Sequence, residues 1–334
     1  MLGCFPARNV RDEGNRDLWD AILKIGMIRK FVTRILVFGL AVLAAGCPSS
    51  PSDRHAAASP AASGSAGPVQ VMVTISVFES FVKAVGGDRV AVSTLVPVGA
   101  SPEDYQPAPG DIERLHASDV LIENGVGLEA WLARTIDNAK NPNLRIVVAS
   151  NGLPKKGSNP HLWMDPVLAR GYVRAIRDAL IAQDPVGRAV YEGNAAAYDA
   201  KLVALEGQIA KQIATIPPAS RSMIVFHNAW QYYNDRFGIR TIGVVELSPG
   251  QEPNPSYIGD LVTLARKDHV KAVFAEPEYS PKLVQTLAES AGIKTVEALY
   301  DDSIGSDPRV HDYESMLRYD TGVIVNALGG KGPG

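Results

Sequence analysis

The chain has 334 residues, with 33 Lys plus Arg against 36 Asp plus Glu, a formal charge of −3 and 46% hydrophobic residues. This is ordinary globular composition, long enough for two modest domains. Without a basic excess or a basic cluster, the charge pattern argues against a nucleic-acid partner.

Residues 1–26 are charged and mixed in pattern, and Cys4 within them is assigned no role. Met27-Ile28-Arg29-Lys30-Phe31-Val32-Thr33-Arg34 is a positive n-region, and an apolar run follows from Ile35 to Ala45. That run is short for a membrane span and fits a secretory signal, so residues 1–26 read as an over-long start. The run ends in Leu43-Ala44-Ala45-Gly46-Cys47, which resembles a bacterial lipoprotein lipobox. The resemblance implies that Cys47 is lipidated, heads the mature protein and anchors it to a membrane. Cleavage at a small-x-small site with Cys47 incidental is the alternative. Pro48 to Pro68 is almost all Ser, Ala, Pro and Gly, with Asp53, Arg54 and a solvated His55, a composition that cannot bury a core and reads as a flexible tether.

From Val69 onward, β-rich apolar runs alternate with helix-length amphipathic segments. The runs are Val69–Ile75, Val90–Val96, Val120–Ile122, Arg145–Val148, Met223–Phe226, Thr241–Val245, Ala272–Phe274 and Thr295–Val296. Such alternation points to an α/β fold of two lobes, each a mostly parallel sheet flanked by helices. Between them, Pro185 to Ile216 has no internal Pro and places Tyr198, Leu202, Leu205, Ile209, Ile213 and Ile216 on one helical face. A helix of about 30 residues is ~45 Å long, a stiff connection that permits limited closure. The expected division is an N-terminal lobe over residues 69–184, a linking helix over 185–217 and a C-terminal lobe over 218–330.

Asn159-Pro160-His161-Leu162-Trp163-Met164-Asp165-Pro166 carries a helix start in Asp165 and Pro166, an N-cap followed by a first-turn proline. That start has no need of His161, which reads as a ligand candidate. His227-Asn228 follow the buried-strand pattern Ser222 to Phe226, at the carboxyl end where open α/β sheets bind ligands. The chain has no His-Glu-x-x-His, Cys-x-x-Cys or His-x-His, so any metal site is assembled from distant loops.

Five stretches in this order resemble the zinc- and manganese-type solute receptors of bacterial ABC importers, the TroA-like or ZnuA-like family, from about Val69 to Leu328. They are Val96 to Tyr105, Leu121 to Leu132, Asn159 to Pro166, Phe226 to Tyr233, and Tyr300 to Ile304 with Tyr313 to Tyr319. The family holds one metal ion between its lobes with four side chains, which fall here on Glu103, His161, His227 and Asp302. Glu103 departs from the histidine of many members; it either ligates through oxygen or the position is lost. Asp301 is a substitute for Asp302. Glu252 and Glu276 are expected to support the site by hydrogen bonding. His116 reads as a helix-face residue, His269 as a turn residue, and His311 as part of a polar loop. Trp163, Trp230 and Tyr232 read as packing that walls off the site.

Two imidazoles and two carboxylates suit manganese, zinc or iron, and Glu103 in place of His moves the set toward manganese or iron. The short, basic loop Gly152–Ser158, where some zinc-type members carry a His- and Asp-rich insertion, leans the same way. The resemblance implies a non-enzymatic, monomeric, extracytoplasmic lipoprotein that hands its metal to an ABC permease. Two rivals stand beside it: a metal-dependent hydrolase, which needs an open coordination position and a base, and a receptor or adhesin for a metal chelate or extracellular partner.

Overall fold

The computed structural model describes residues 67–332 except 249, 297, 298 and 306. The predicted start, signal, Cys47 and all but the last residues of the tether lie outside the described residues. In the N-terminal lobe the elements run β1 (Val69–Val73), α1 (Ser76–Gly86), β2 (Val90–Thr94), α2 (Pro109–His116), β3 (Val120–Glu123), α3 (Leu132–Ala139), β4 (Arg145–Val148) and α4 (Pro166–Gln183). After α5 (Arg188–Ile213) the C-terminal lobe runs β5 (Ser222–Val225), α6 (Gln231–Phe237), β6 (Arg240–Val244), α7 (Pro255–Lys267), β7 (Ala272–Phe274), α8 (Lys282–Ala291), β8 (Lys294–Val296) and α9 (Tyr313–Ala327).

Each lobe holds a four-stranded sheet, ordered β2-β1-β3-β4 and β6-β5-β7-β8, with every pair parallel. Parallel strands need helical crossovers, which cover both sheet faces and explain the continuous apolar runs. The central strand β5 is buried throughout, whereas edge strands β2 and β4 are only partly covered. The chain steps from the first strand of each sheet to one side and then crosses to the other. A crevice therefore opens at the carboxyl ends of β1 and β3 in one lobe and of β5 and β7 in the other.

The linking helix is shorter than the sequence pattern predicts. Asp184 and Pro185 start a 3-10 turn, Pro185–Gly187, before α5 begins at Arg188. Asp184 accepts from Arg89 Nε and Nη2 and from Tyr191 Oη, tying that turn to the N-terminal lobe. The remaining 26 residues of α5 span roughly 39 Å at 1.5 Å per residue. Its buried face is Tyr191, Ala195, Tyr198, Leu202, Leu205, Ile209 and Ile213, at the spacing read from sequence.

Beside a smaller apolar cluster in each lobe, the two lobes share one large core. One apolar cluster runs from Val71, Phe78 and Phe81 through Trp163, Tyr172 and Leu202 to Tyr232, Tyr313 and Leu317. Phe78 packs edge-on against Trp163, and Phe81 against Tyr313. Hydrogen bonds reinforce this junction: Ile304 N donates to Ser76 Oγ at 2.8 Å, and Tyr313 N to Ser80 Oγ at 3.0 Å. Wide opening would expose this shared core, so the fold opposes a large hinge swing.

Candidate metal centre

The N-terminal lobe presents His161 from a loop fixed at both ends. After β3 the backbone turns through Gly125, Val126 and Gly127, all at positive φ, and Glu129 stabilises the turn by accepting from Asn124 N and Gly125 N. This turn aims Asn124 at the neighbouring loop, where its Nδ2 donates to Pro160 O at 2.9 Å. Asn159 then accepts from His161 N and contacts its Nδ1 at 3.1 Å through the same Oδ1, while its Nδ2 donates to Asn228 O across the lobes. With an acceptor at Nδ1, that nitrogen carries the proton and Nε2 faces the cleft with a free lone pair.

Asp165 and Pro166 occupy the helix-starting positions expected from sequence. Asp165 Oδ1 accepts from Val167 N at 2.8 Å as the N-cap of α4, and Pro166 is its first residue. Asp165 has a second role that local sequence does not reveal. Arg236 of α6 donates to it through Nε and Nη2 at 2.8–3.0 Å, clamping one lobe to the other four residues beyond His161.

The C-terminal lobe supplies the rest from strand ends at its switch point. His227 follows β5, Glu276 follows β7, and Asp301 and Asp302 follow β8. His227 Nδ1 contacts a Glu276 carboxylate oxygen closely, which orients its Nε2 toward His161. Trp163 Nε1 donates to Asp301 O at 2.7 Å, so the indole that lies against His161 also holds the aspartate loop.

His161, His227 and Asp302 have ligand atoms within 4.8 Å of one another, and all are at least 95% buried. The two Nε2 atoms lie 3.2 Å apart. Metal–nitrogen bonds of about 2.05 Å to both would subtend an angle of about 100°, near the tetrahedral value. Asp302 Oδ1 is 3.6 Å from His161 Nε2, and its Oδ2 is 3.9 Å from His227 Nε2. Both oxygens lack a hydrogen-bond partner among the described residues, as does Asp301 Oδ2. Unsatisfied buried carboxylate oxygens are costly without a cation, and together with the two facing imidazole nitrogens they form a donor set favourable around one.

The electrostatics follow from burial. Desolvation pushes Asp302, Asp301 and Glu276 well above the usual carboxylate range, and their neighbouring acids add to the rise. Burial, with His227 nearby, holds His161 well below its ordinary value. Burial acts downward on His227 too, yet Asp301, Asp302, Glu103 and Glu278 outweigh it and leave the imidazole raised. The site is thus an excess of negative potential around two imidazoles.

Glu103 is half-buried in the loop after β2, where Trp131 Nε1 holds Pro102 O at 2.8 Å. It lines a cavity of about 390 Å³ with His161 and His227, without joining the group within 4.8 Å. Burial raises its carboxyl. Asp301 belongs to a second such group with His227 and Glu276. Glu252 is exposed and away from both groups. His116 lies on α2 with Nδ1 2.7 Å from Ala139 O, His269 sits in a turn at φ 52°, and His311 is exposed. Trp163, Trp230 and Tyr232 are fully buried, and Tyr232 Oη donates to Asn159 O. The short loop Gly152–Ser158 is tied down by Tyr232 Oη, which accepts from Lys156 N, and by the Lys156–Asp235 ion pair. Sequence reasoning missed Glu246 and Glu278. Glu246 stands at the end of β6 beside His227, a strand-end position that could have flagged it.

The family model described as zinc-uptake complex component A periplasmic, ZnuA, matches residues 71–327. A manganese-binding lipoprotein, MntA, of Halalkalibacterium halodurans is 28% identical over 306 residues, covering 90% of this chain and 99% of its own. An iron-binding protein, YfeA, of Yersinia pestis is 27% identical over 268 residues, 78% of this chain and 86% of its own. Among solved structures, one of ZnuA superposes with a TM-score of 0.71 at 28% identity, over 78% of this chain and 100% of the other. A manganese-bound periplasmic metal-binding protein from Candidatus Liberibacter asiaticus has a TM-score of 0.70 at 25% identity, over 78% and 99%. With the match spanning nearly all of the two-lobed domain, the chain belongs to the ZnuA family of periplasmic zinc-uptake components.

Proposed function

We propose that the chain captures a divalent transition-metal ion between its lobes, outside the cytoplasmic membrane, and delivers it to the permease of an ABC importer. The observation that carries this reading is the facing pair of imidazole Nε2 atoms, 3.2 Å apart, above an Asp302 carboxylate with no hydrogen-bond partner among the described residues. The proposed ligands are Glu103, His161, His227 and Asp302, with Glu103 reaching the ion from the cavity wall. The ion is cargo, and the protein acts as a receptor without catalysis.

The donor set, two nitrogens and two carboxylates, fits manganese, iron or zinc. Two relatives are named as manganese-binding and iron-binding, in keeping with the oxygen donor at Glu103. Lipid at Cys47 anchors the receptor, the segment to Pro68 tethers it, and the receptor acts as a monomer.

Binding only to the folded state raises stability by about 2.7 kcal/mol at a hundredfold excess over Kd. A melting series with manganese, zinc, iron(II) and cobalt is therefore expected to show a metal-dependent rise. A well-folded protein that shifts with none of them refutes the proposal. Glu103→Ala is expected to weaken binding by more than about tenfold, as loss of a ligand requires; unchanged affinity removes Glu103 from the set.

A further inference from the structure

Glu246 occupies a position that no ligand role has claimed. Beyond β6 the backbone keeps its parallel ladder with β5: Val245 N donates to Val225 O at 3.0 Å, and Glu246 N to Phe226 O at 2.8 Å. Glu246 therefore leaves the sheet on the strand next to His227, at the same carboxyl edge. Its side chain lines the cavity that contains Glu103, His161 and His227. The residue is 8% exposed, and its Oε2 has no hydrogen-bond partner among the described residues. Its other oxygen, Oε1, accepts from Gly250 N at 2.9 Å. A Cβ on Gly250 would lie 3.3 Å from Asp104 Oδ2, so this turn meets the loop of Glu103 across the cleft.

One carboxylate oxygen is thus fixed to the turn while the other is buried without a partner among the described residues, on a side chain that lines both the metal cavity and the adjoining cavity of Phe226, Glu278 and Tyr279. From this juxtaposition we infer that Glu246 is a further oxygen donor to the bound ion and discriminates manganese or iron(II) from zinc. The inference rests on the metal-receptor reading above. Zinc is satisfied by four ligands in a tetrahedron, whereas manganese favours oxygen donors in a larger shell. An added carboxylate oxygen then stabilises the harder ion selectively.

Glu246→Gln keeps an acceptor for Gly250 N and removes the anionic donor. In paired titrations of the full chain with manganese and zinc, it is expected to lower manganese affinity at least about tenfold and zinc affinity less than about threefold. If the wild type binds both metals and the variant leaves their affinity ratio unchanged, this inference is overturned while the receptor reading stands. If the wild type binds neither, the receptor reading itself fails. Cobalt(II) absorption of the wild type supplies a check that needs no variant. Weak bands of a five- or six-coordinate ion are expected, and the intense bands of a tetrahedral ion overturn the inference.

Discussion

Replacing Asp302 by Asn should move stability in opposite directions with and without metal. The side chain is 2% exposed and both its oxygens lack partners among the described residues, in a pocket already crowded by Asp301, Glu278 and Glu103. Asn keeps the shape and removes the acid. An unsatisfied buried polar group costs about 1–3 kcal/mol, more when charged, so the metal-free variant should gain about 1 kcal/mol or more. For a domain of this size that raises the melting temperature by about 2–4 °C per kcal/mol. With metal at a hundredfold excess over Kd the wild type gains about 2.7 kcal/mol, which the variant forfeits. Differential scanning calorimetry in a chelator and in saturating manganese should therefore show the two proteins exchanging rank. A variant less stable than the wild type in chelator, or one with an undiminished manganese shift, refutes the reasoning.

Glu276→Gln should cost about 10- to 100-fold in metal affinity by isothermal titration, because Glu276 orients His227 through Nδ1 without touching the ion. In the metal-free protein, folded His227, Asp301, Asp302 and Glu276 all bind protons more tightly than in the unfolded chain. Each acid thus loses stability as pH rises from the ordinary carboxylate range toward its raised value, and His227 adds the same sign above about 6.5. His161, depressed by burial, has the opposite sign and acts only below that value. Melting in chelator should accordingly fall as pH rises above about 6.5, while manganese affinity rises because protons compete less. Asp165→Ala removes an N-cap worth about 1 kcal/mol and a clamp to Arg236, whose side chain is 35% exposed, worth about 1–2 kcal/mol more. Urea unfolding should show a loss of about 2–3 kcal/mol, with Asp165→Asn losing only the clamp.

The strands were legible because parallel strands buried on both faces must be continuous apolar runs, and turns between them are marked by Gly, Pro and Asn. The linking helix was legible for the same reason: its buried face repeats at helical spacing. Its start was read too early, since Asp184 and Pro185 favour a 3-10 turn as readily as a first α-turn. His161 and His227 were readable as candidates from local position, whereas Glu103, Asp302 and the grouping of the four came only with the family resemblance. His161 and His227 are 66 residues apart and meet at 3.2 Å solely through the packing of two lobes. Asp165 illustrates the limit well. Its cap is a local pattern, but the bond to Arg236, 71 residues away, has no local signature. Glu246 was missed because a lone Glu after a strand looks solvated until the neighbouring strand end is known to carry His227.

Diffraction from manganese-soaked crystals at the manganese absorption edge tests the central claim most directly. One anomalous peak is expected between the lobes, bonded to His161 Nε2, His227 Nε2 and the carboxylates of Asp302 and Glu103. A peak bonded elsewhere, or none in crystals soaked to saturation, would contradict the account.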